Sequence, residues 1–116
     1  MPKFATHQDY LATLAPEPRR WLDAICSEVE ARIPAAERCI AYQMPAYRHG
    51  RVFFYVAAFR KHIGVYPPVT RDAGLILELA AFRGPKGNLG FPLGKPIPVE
   101  LIGRVATALH AEYGRP

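Results

Sequence analysis

Residues 42–67, YQMPAYRHGRVFFYVAAFRKHIGVYP, hold the strand signal on which the architecture turns. Val52 to Phe59 is an unbroken apolar run, the pattern of a strand in the middle of a sheet with both faces covered. Before it, Cys39 to Met44 alternates moderately and reads as a further strand, with Arg48-His49-Gly50-Arg51 as the hairpin turn between the two. After Arg60-Lys61, His62 to Tyr66 alternates cleanly. Ile63 and Val65 face one side, His62 and Tyr66 the other, and Gly64 leaves the second face open between imidazole and phenol. Pro45 reads as a residue that stops the ladder at a strand end.

Helical periodicity lies on both sides of this run. Thr6 to Leu14 is a short helical pattern. From Pro16 to Ile33, Leu22, Ile25, Cys26, Val29 and Ile33 recur at spacings of three and four, the stripe of an amphipathic helix laid on a core. Pro16 and Pro18 suit a first turn, where N–H groups lack intrahelical partners, and Pro34 ends the helix. Thr70 is the expected N-cap of a short helix through Leu75, Ile76 and Leu79. A tight loop, Arg83 to Asn88, leads into an edge-like strand, Leu89 to Phe91. Pro98 opens a last helix with Ile102, Val105, Ala106 and Leu109 as its buried stripe. Consecutive strands flanked by helices predict an α+β fold: a mainly antiparallel sheet of about five strands, with the N-terminal and C-terminal helices packed on one face.

A chain of 116 residues, 50% hydrophobic and 22% charged, has the size and composition of one globular domain spanning 1–116 and not of a disordered chain. Residues 1–14 lack the apolar core of a signal peptide. Val52 to Phe59, the longest apolar run, has eight residues, far short of the roughly 20 that cross a bilayer, so the sequence predicts a cytoplasmic protein without a membrane span. Cys26 and Cys39 lack CxxC spacing and read as small buried residues. The formal charge of +5 raises a polyanion or nucleic acid as a partner, but the lysines and arginines are dispersed along the chain, the pattern of a solvated basic surface.

Several segments resemble one known family. Tyr42-Gln-Met-Pro-Ala-Tyr47, Tyr55 to Pro67, Lys86-Gly-Asn-Leu-Gly-Phe-Pro92 and Lys95-Pro-Ile-Pro-Val-Glu-Leu-Ile102, in that order, are similar to the YdhG-like family of domains of unknown function, over residues 10 to about 108. The resemblance implies a small α+β domain with an antiparallel sheet and packed terminal helices, often compared with frataxin. For some members it implies an intracellular iron chaperone that delivers iron to a receiving protein. Hard iron ions favour carboxylate oxygens. The nearest acidic cluster here is Glu28, Glu30 and Glu37, with Arg32 and Arg38 interleaved.

His62, Tyr66 and Lys86 match polar positions of that family pattern. Together they define a candidate pocket for a small anionic ligand, lined by Tyr42, Met44, Phe59 and Phe91. The ordinary alternative has His62 and Tyr66 bonding backbone at a sheet edge and Lys86 solvated in a turn. No catalytic constellation stands beside them. Ser27 is the only serine and falls in mid-helix. The histidines, His7, His49, His62 and His110, lack ligand spacing, and Gly84-Pro-Lys-Gly87 lacks phosphate-loop spacing. The sequence therefore predicts a binding domain and not an enzyme, with His62 as a general base beside Lys86 the weaker alternative. An exposed strand edge leaves both monomer and homodimer open.

Overall fold

In the computed structural model, which describes residues 3–114, five strands form one antiparallel sheet in the order β1-β2-β3-β4-β5. The strands are β1 (Glu37–Ala41), β2 (Met44–His49), β3 (Arg51–Ala58), β4 (His62–Tyr66) and β5 (Leu89–Pro92). Helices α1 (His7–Leu11) and α2 (Pro16–Arg32) precede the sheet. Helix α3 (Ala73–Glu78) and a 3₁₀ turn, Ala80–Phe82, join β4 to β5, and α4 (Val99–Tyr113) follows. The predicted α+β class and antiparallel sheet are those of the structure.

The first hairpin differs from expectation. What reads as one strand from Cys39 to Met44 is broken at Tyr42 and Gln43, both in the left-handed region at φ 53° and 60°. Two such residues in succession make the mirror-image turn whose twist suits a hairpin. Ala41 pairs with Met44 and Ile40 with Pro45, so Pro45 lies within β2 and does not end it. Flanking pairs alternate between bonded and non-bonded, so Ile40–Pro45 is a non-bonded pair on the β1 side. On the other side, pairing with β3 begins one residue later, at Ala46, so proline's missing N–H breaks no rung.

Between β2 and β3 the register slips by one residue, placing Phe53 as an extra residue opposite the Tyr47/Arg48 step. A bulge turns two successive side chains toward the same side. Phe53 and Phe54 are accordingly both fully buried, Phe54 against Tyr47 and Phe53 edge-on to His110 of α4. Burying two such rings contributes on the order of 1.5–3 kcal/mol each.

Helices α2 and α4 pack on each other and on β3, while α1 sits over β1 and β2. The core lies between this layer and one sheet face, built from Leu22, Ile25 and Val29 of α2, Val56, Ile63, Val65 and Phe91 of the sheet, and Ile102, Val105 and Leu109 of α4. Gly103 lets the two helices approach closely: a Cβ there would stand 2.5 Å from Cγ of Glu28. Helix α1 is locked by a capping box between Thr6 and Asp9. Its buried His7 donates from Nε2 toward the carbonyls of Cys39 (3.1 Å) and Ala46 (3.0 Å). Both acceptors oblige Nε2 to hold the proton, leaving Nδ1 to face the Cys26 thiol at 3.9 Å. The two cysteines are free.

The cap of α3 is Asp72, whose carboxylate accepts from Leu75 N–H at 3.0 Å, and not the expected Thr70. Thr70 instead donates its hydroxyl (2.6 Å) and its N–H (3.0 Å) to Glu112, which also accepts from Arg71 N–H at 3.2 Å. Burial pushes the Glu112 carboxyl up, and these bonds pull it further down, below its ordinary value. The segment after β4 is thereby tied to α4. Among the described residues no helix is long and apolar enough to cross a membrane.

Candidate functional site

The sheet face turned away from the helices follows from register. Ala46 pairs with Tyr55, Tyr55 with Tyr66, Ala57 with Gly64, Gly64 with Gly90, and His62 with Pro92. Small residues form the floor and rings lie over it. A Cβ on Gly64 would stand 2.8 Å from both the Phe59 ring and the Tyr66 hydroxyl, so the expected open space there is occupied by these two rings. A Cβ on Gly90 would meet the His62 ring at 3.3 Å. Phe59 stacks on His62 with centroids 4.9 Å apart, and Tyr42 lies 5.8 Å from Tyr55 at the far end of the face.

At the β4–β5 end of this face opens a cleft of about 390 Å³, within the range of small-ligand sites. His62 and Tyr66 line it from β4, Gly90 and Pro92 from β5, and Phe82, Arg83 and Asn88 from the segment between α3 and β5. That segment is shaped by Gly87 at φ 85°, by an N–H of Gly84 donating to the Asn88 carbonyl at 2.8 Å, and by a bridge pairing Arg83 with Leu89. Arg83 carries the cleft's positive charge. Its Nη1 is inaccessible to solvent and without a hydrogen-bond partner among the described residues. A buried N–H that has left water and found no acceptor costs about 1–3 kcal/mol.

Of the residues singled out from sequence, His62 and Tyr66 meet in this cleft, and Phe59 stacks against His62 on the same face. Lys86 is an exposed residue of the neighbouring loop and does not line the cleft; Arg83 supplies the cation there instead. Tyr42, 84% exposed at the β1–β2 turn, and Met44 on β2 lie away from it. Phe91 points to the opposite face, because it pairs with Ile63, and is fully buried with its ring 4.7 Å from that of Phe82. Sequence reading missed Arg83. The one signal was its place at the head of the Arg83-Gly-Pro-Lys-Gly-Asn88 turn, where a lone arginine looks like any solvated charge.

Glu28, Glu30 and Glu37 do not converge. Glu28 pairs with Arg32 at 2.6 Å within α2, and Glu37 with Arg48 at 3.3 Å across the first hairpin. Glu30 holds Arg38 at 2.6 Å and accepts from the Tyr47 hydroxyl. Burial raises the Glu30 carboxyl, but the bonds from Arg38 and Tyr47 bring it below its ordinary value. Burial first, then the neighbouring Cys26 and Glu30, push the Tyr47 phenol far up, so it stays a donor. With each carboxylate committed to a different arginine, the trio does not fit an iron ion. Among the described residues no group of three His, Cys, Asp or Glu is placed to hold a metal.

Comparison with known proteins rests on shape. No family model matches the chain, and no curated protein matches it by sequence. Among solved structures, the chain superposes on a protein of the DUF1801 family, YdhG of Bacillus subtilis, with a TM-score of 0.77 over 92% of this chain and 90% of that one, at 19% identity. The frataxin comparison has no support among these similarities. The five-stranded antiparallel sheet under its helical layer is therefore the fold of a DUF1801 protein, YdhG.

Proposed function

We propose that this domain binds a small anion in the cleft between β4, β5 and the Arg83–Asn88 loop. The observation that supports the reading is that Arg83, whose buried Nη1 has no hydrogen-bond partner among the described residues, lines a cleft that also presents an imidazole and a phenol. Turning the partly exposed guanidinium toward an anion breaks no existing bond at Nη1 and gains a charge-assisted one. His62 and Tyr66, which line the same cleft, add donors. Titration with sodium acetate, followed by amide and side-chain NMR shifts, tests the reading. Saturable shifts confined to His62, Tyr66, Arg83, Asn88 and Gly90 are expected, with affinity about 10- to 100-fold weaker in Arg83→Gln. Equal shifts in the variant, or none in the cleft, sink it.

A second reading has the ring-covered sheet face take a polyanion. It is favoured by the placement of charge: residues 38–71 and 79–99, which hold four of the five strands whole and all but the first residue of β1, contain no Asp or Glu. They carry Arg38, Arg48, Arg51, Arg60, Lys61 and Arg71, then Arg83, Lys86 and Lys95.

A further inference from the structure

A second groove, of about 540 Å³, adjoins the anion cleft. Ala81, Phe82 and Pro92 line both, so the two openings share a wall. The two differ sharply in chemistry. The first presents Arg83, His62, Tyr66 and Asn88; the second is walled by Pro96 and Pro98 besides the shared residues, with the fully buried Phe91 beneath and Lys95 its one charged member. Prolines without N–H groups and the partly exposed Phe82 ring, with no polar atom, offer a ligand almost nothing except apolar contact.

From this juxtaposition we infer that the ligand is an amphiphilic monocarboxylate, its carboxylate at Arg83 and its alkyl chain laid across Phe82 and Pro92 into the proline-lined groove. The inference rests on the anion-binding reading and adds the ligand's class to it. One carboxylate matches one guanidinium with an unpaired nitrogen. The chain matches a groove whose walls gain from burying methylenes and have no donor to lose. Lys95 borders the groove at an exposed position, and a lysine's methylene stem can cover apolar surface while its ammonium stays in water.

Calorimetric titration of the purified protein with acetate, hexanoate, octanoate and decanoate at fixed ionic strength tests this without any variant. Affinity is expected to rise about three- to fourfold per methylene and to level off once the groove is filled. Arg83→Gln should weaken every member of the series about 10- to 100-fold. Pro96→Glu, at an exposed position, should bring octanoate down to the affinity of acetate. If acetate and octanoate bind equally and both depend on Arg83, the alkyl groove is refuted and the anion cleft stands. If no carboxylate binds, both fall. If 1-octanol binds as tightly as octanoate, the head group is not recognised and the inference is overturned.

Discussion

His7 is 2% exposed, yet it is a polar ring, and its position follows from what surrounds it. Its Nε2 spans carbonyls of two adjacent strands, its Nδ1 meets a thiol of α2, and its ring stands perpendicular to that of Tyr47 with centroids 5.2 Å apart. Burial, and secondarily the positive charge of Arg38, hold the imidazole below its ordinary 6.5, while the carbonyls of Ala46 and Cys39 and the carboxylate of Glu30 act in the opposite sense. The unfolded chain therefore takes up a proton that the fold resists. Stability from this residue is constant above about pH 6.5 and declines as pH falls below it. Urea unfolding between pH 5 and 7.5 should show that decline in the parent and a flatter profile in His7→Gln, which keeps a donor but does not titrate. Identical slopes would assign the pH dependence elsewhere. Nothing in the sequence marks this histidine out, because its burial depends on two strands that begin more than 25 residues later.

At the scale of elements, strand β4 was legible because alternation is a local property: Ile63 and Val65 on the core face, His62 and Tyr66 on the other, as the pattern predicts. The long helices were legible for the same reason, through stripes that the structure buries. The first hairpin was not, because its turn uses tyrosine and glutamine where glycine or asparagine would have announced a positive φ. Gln43 has a reason to be there, since its side-chain oxygen accepts from Phe4 N–H at 3.1 Å. The cleft was half legible. His62 and Tyr66 sit two residues apart on one strand, whereas Arg83 reaches them only through a loop whose path sequence does not give. Gly64 tests how tightly the ring layer is built: Gly64→Ala should displace Phe59 and Tyr66 and lower stability by about 1–3 kcal/mol. Thermal unfolding monitored by near-ultraviolet circular dichroism would show it, and an unchanged midpoint with an unchanged aromatic spectrum would contradict that packing.

Taken as a whole the molecule is two-sided in charge. The helical elements and their caps hold every carboxylate except Glu37, and several of these are neutralised by arginines: Glu28 by Arg32, Glu30 by Arg38, and Glu78 by both Nη atoms of Arg104 at 2.8 and 2.6 Å. The strands and their loops keep an excess of arginine and lysine among the half-exposed rings of Tyr55, Tyr66 and His62. If that side takes single-stranded nucleic acid, binding to an oligothymidylate should fall with salt along a log–log slope of about −3, for roughly four phosphate contacts. A negligible affinity at low ionic strength, or a slope near zero, would remove the polyanion reading and leave the cleft as the site.

The same separation of charge acts before any contact forms. A body whose strands and their loops are net positive and whose helices are net negative is a permanent dipole, and the field of an approaching anion exerts a torque on it. The sheet swings to the front during diffusion, so a larger share of collisions arrives with the correct side leading. What this arrangement changes first is the frequency of productive encounters, ahead of the lifetime of whatever complex results.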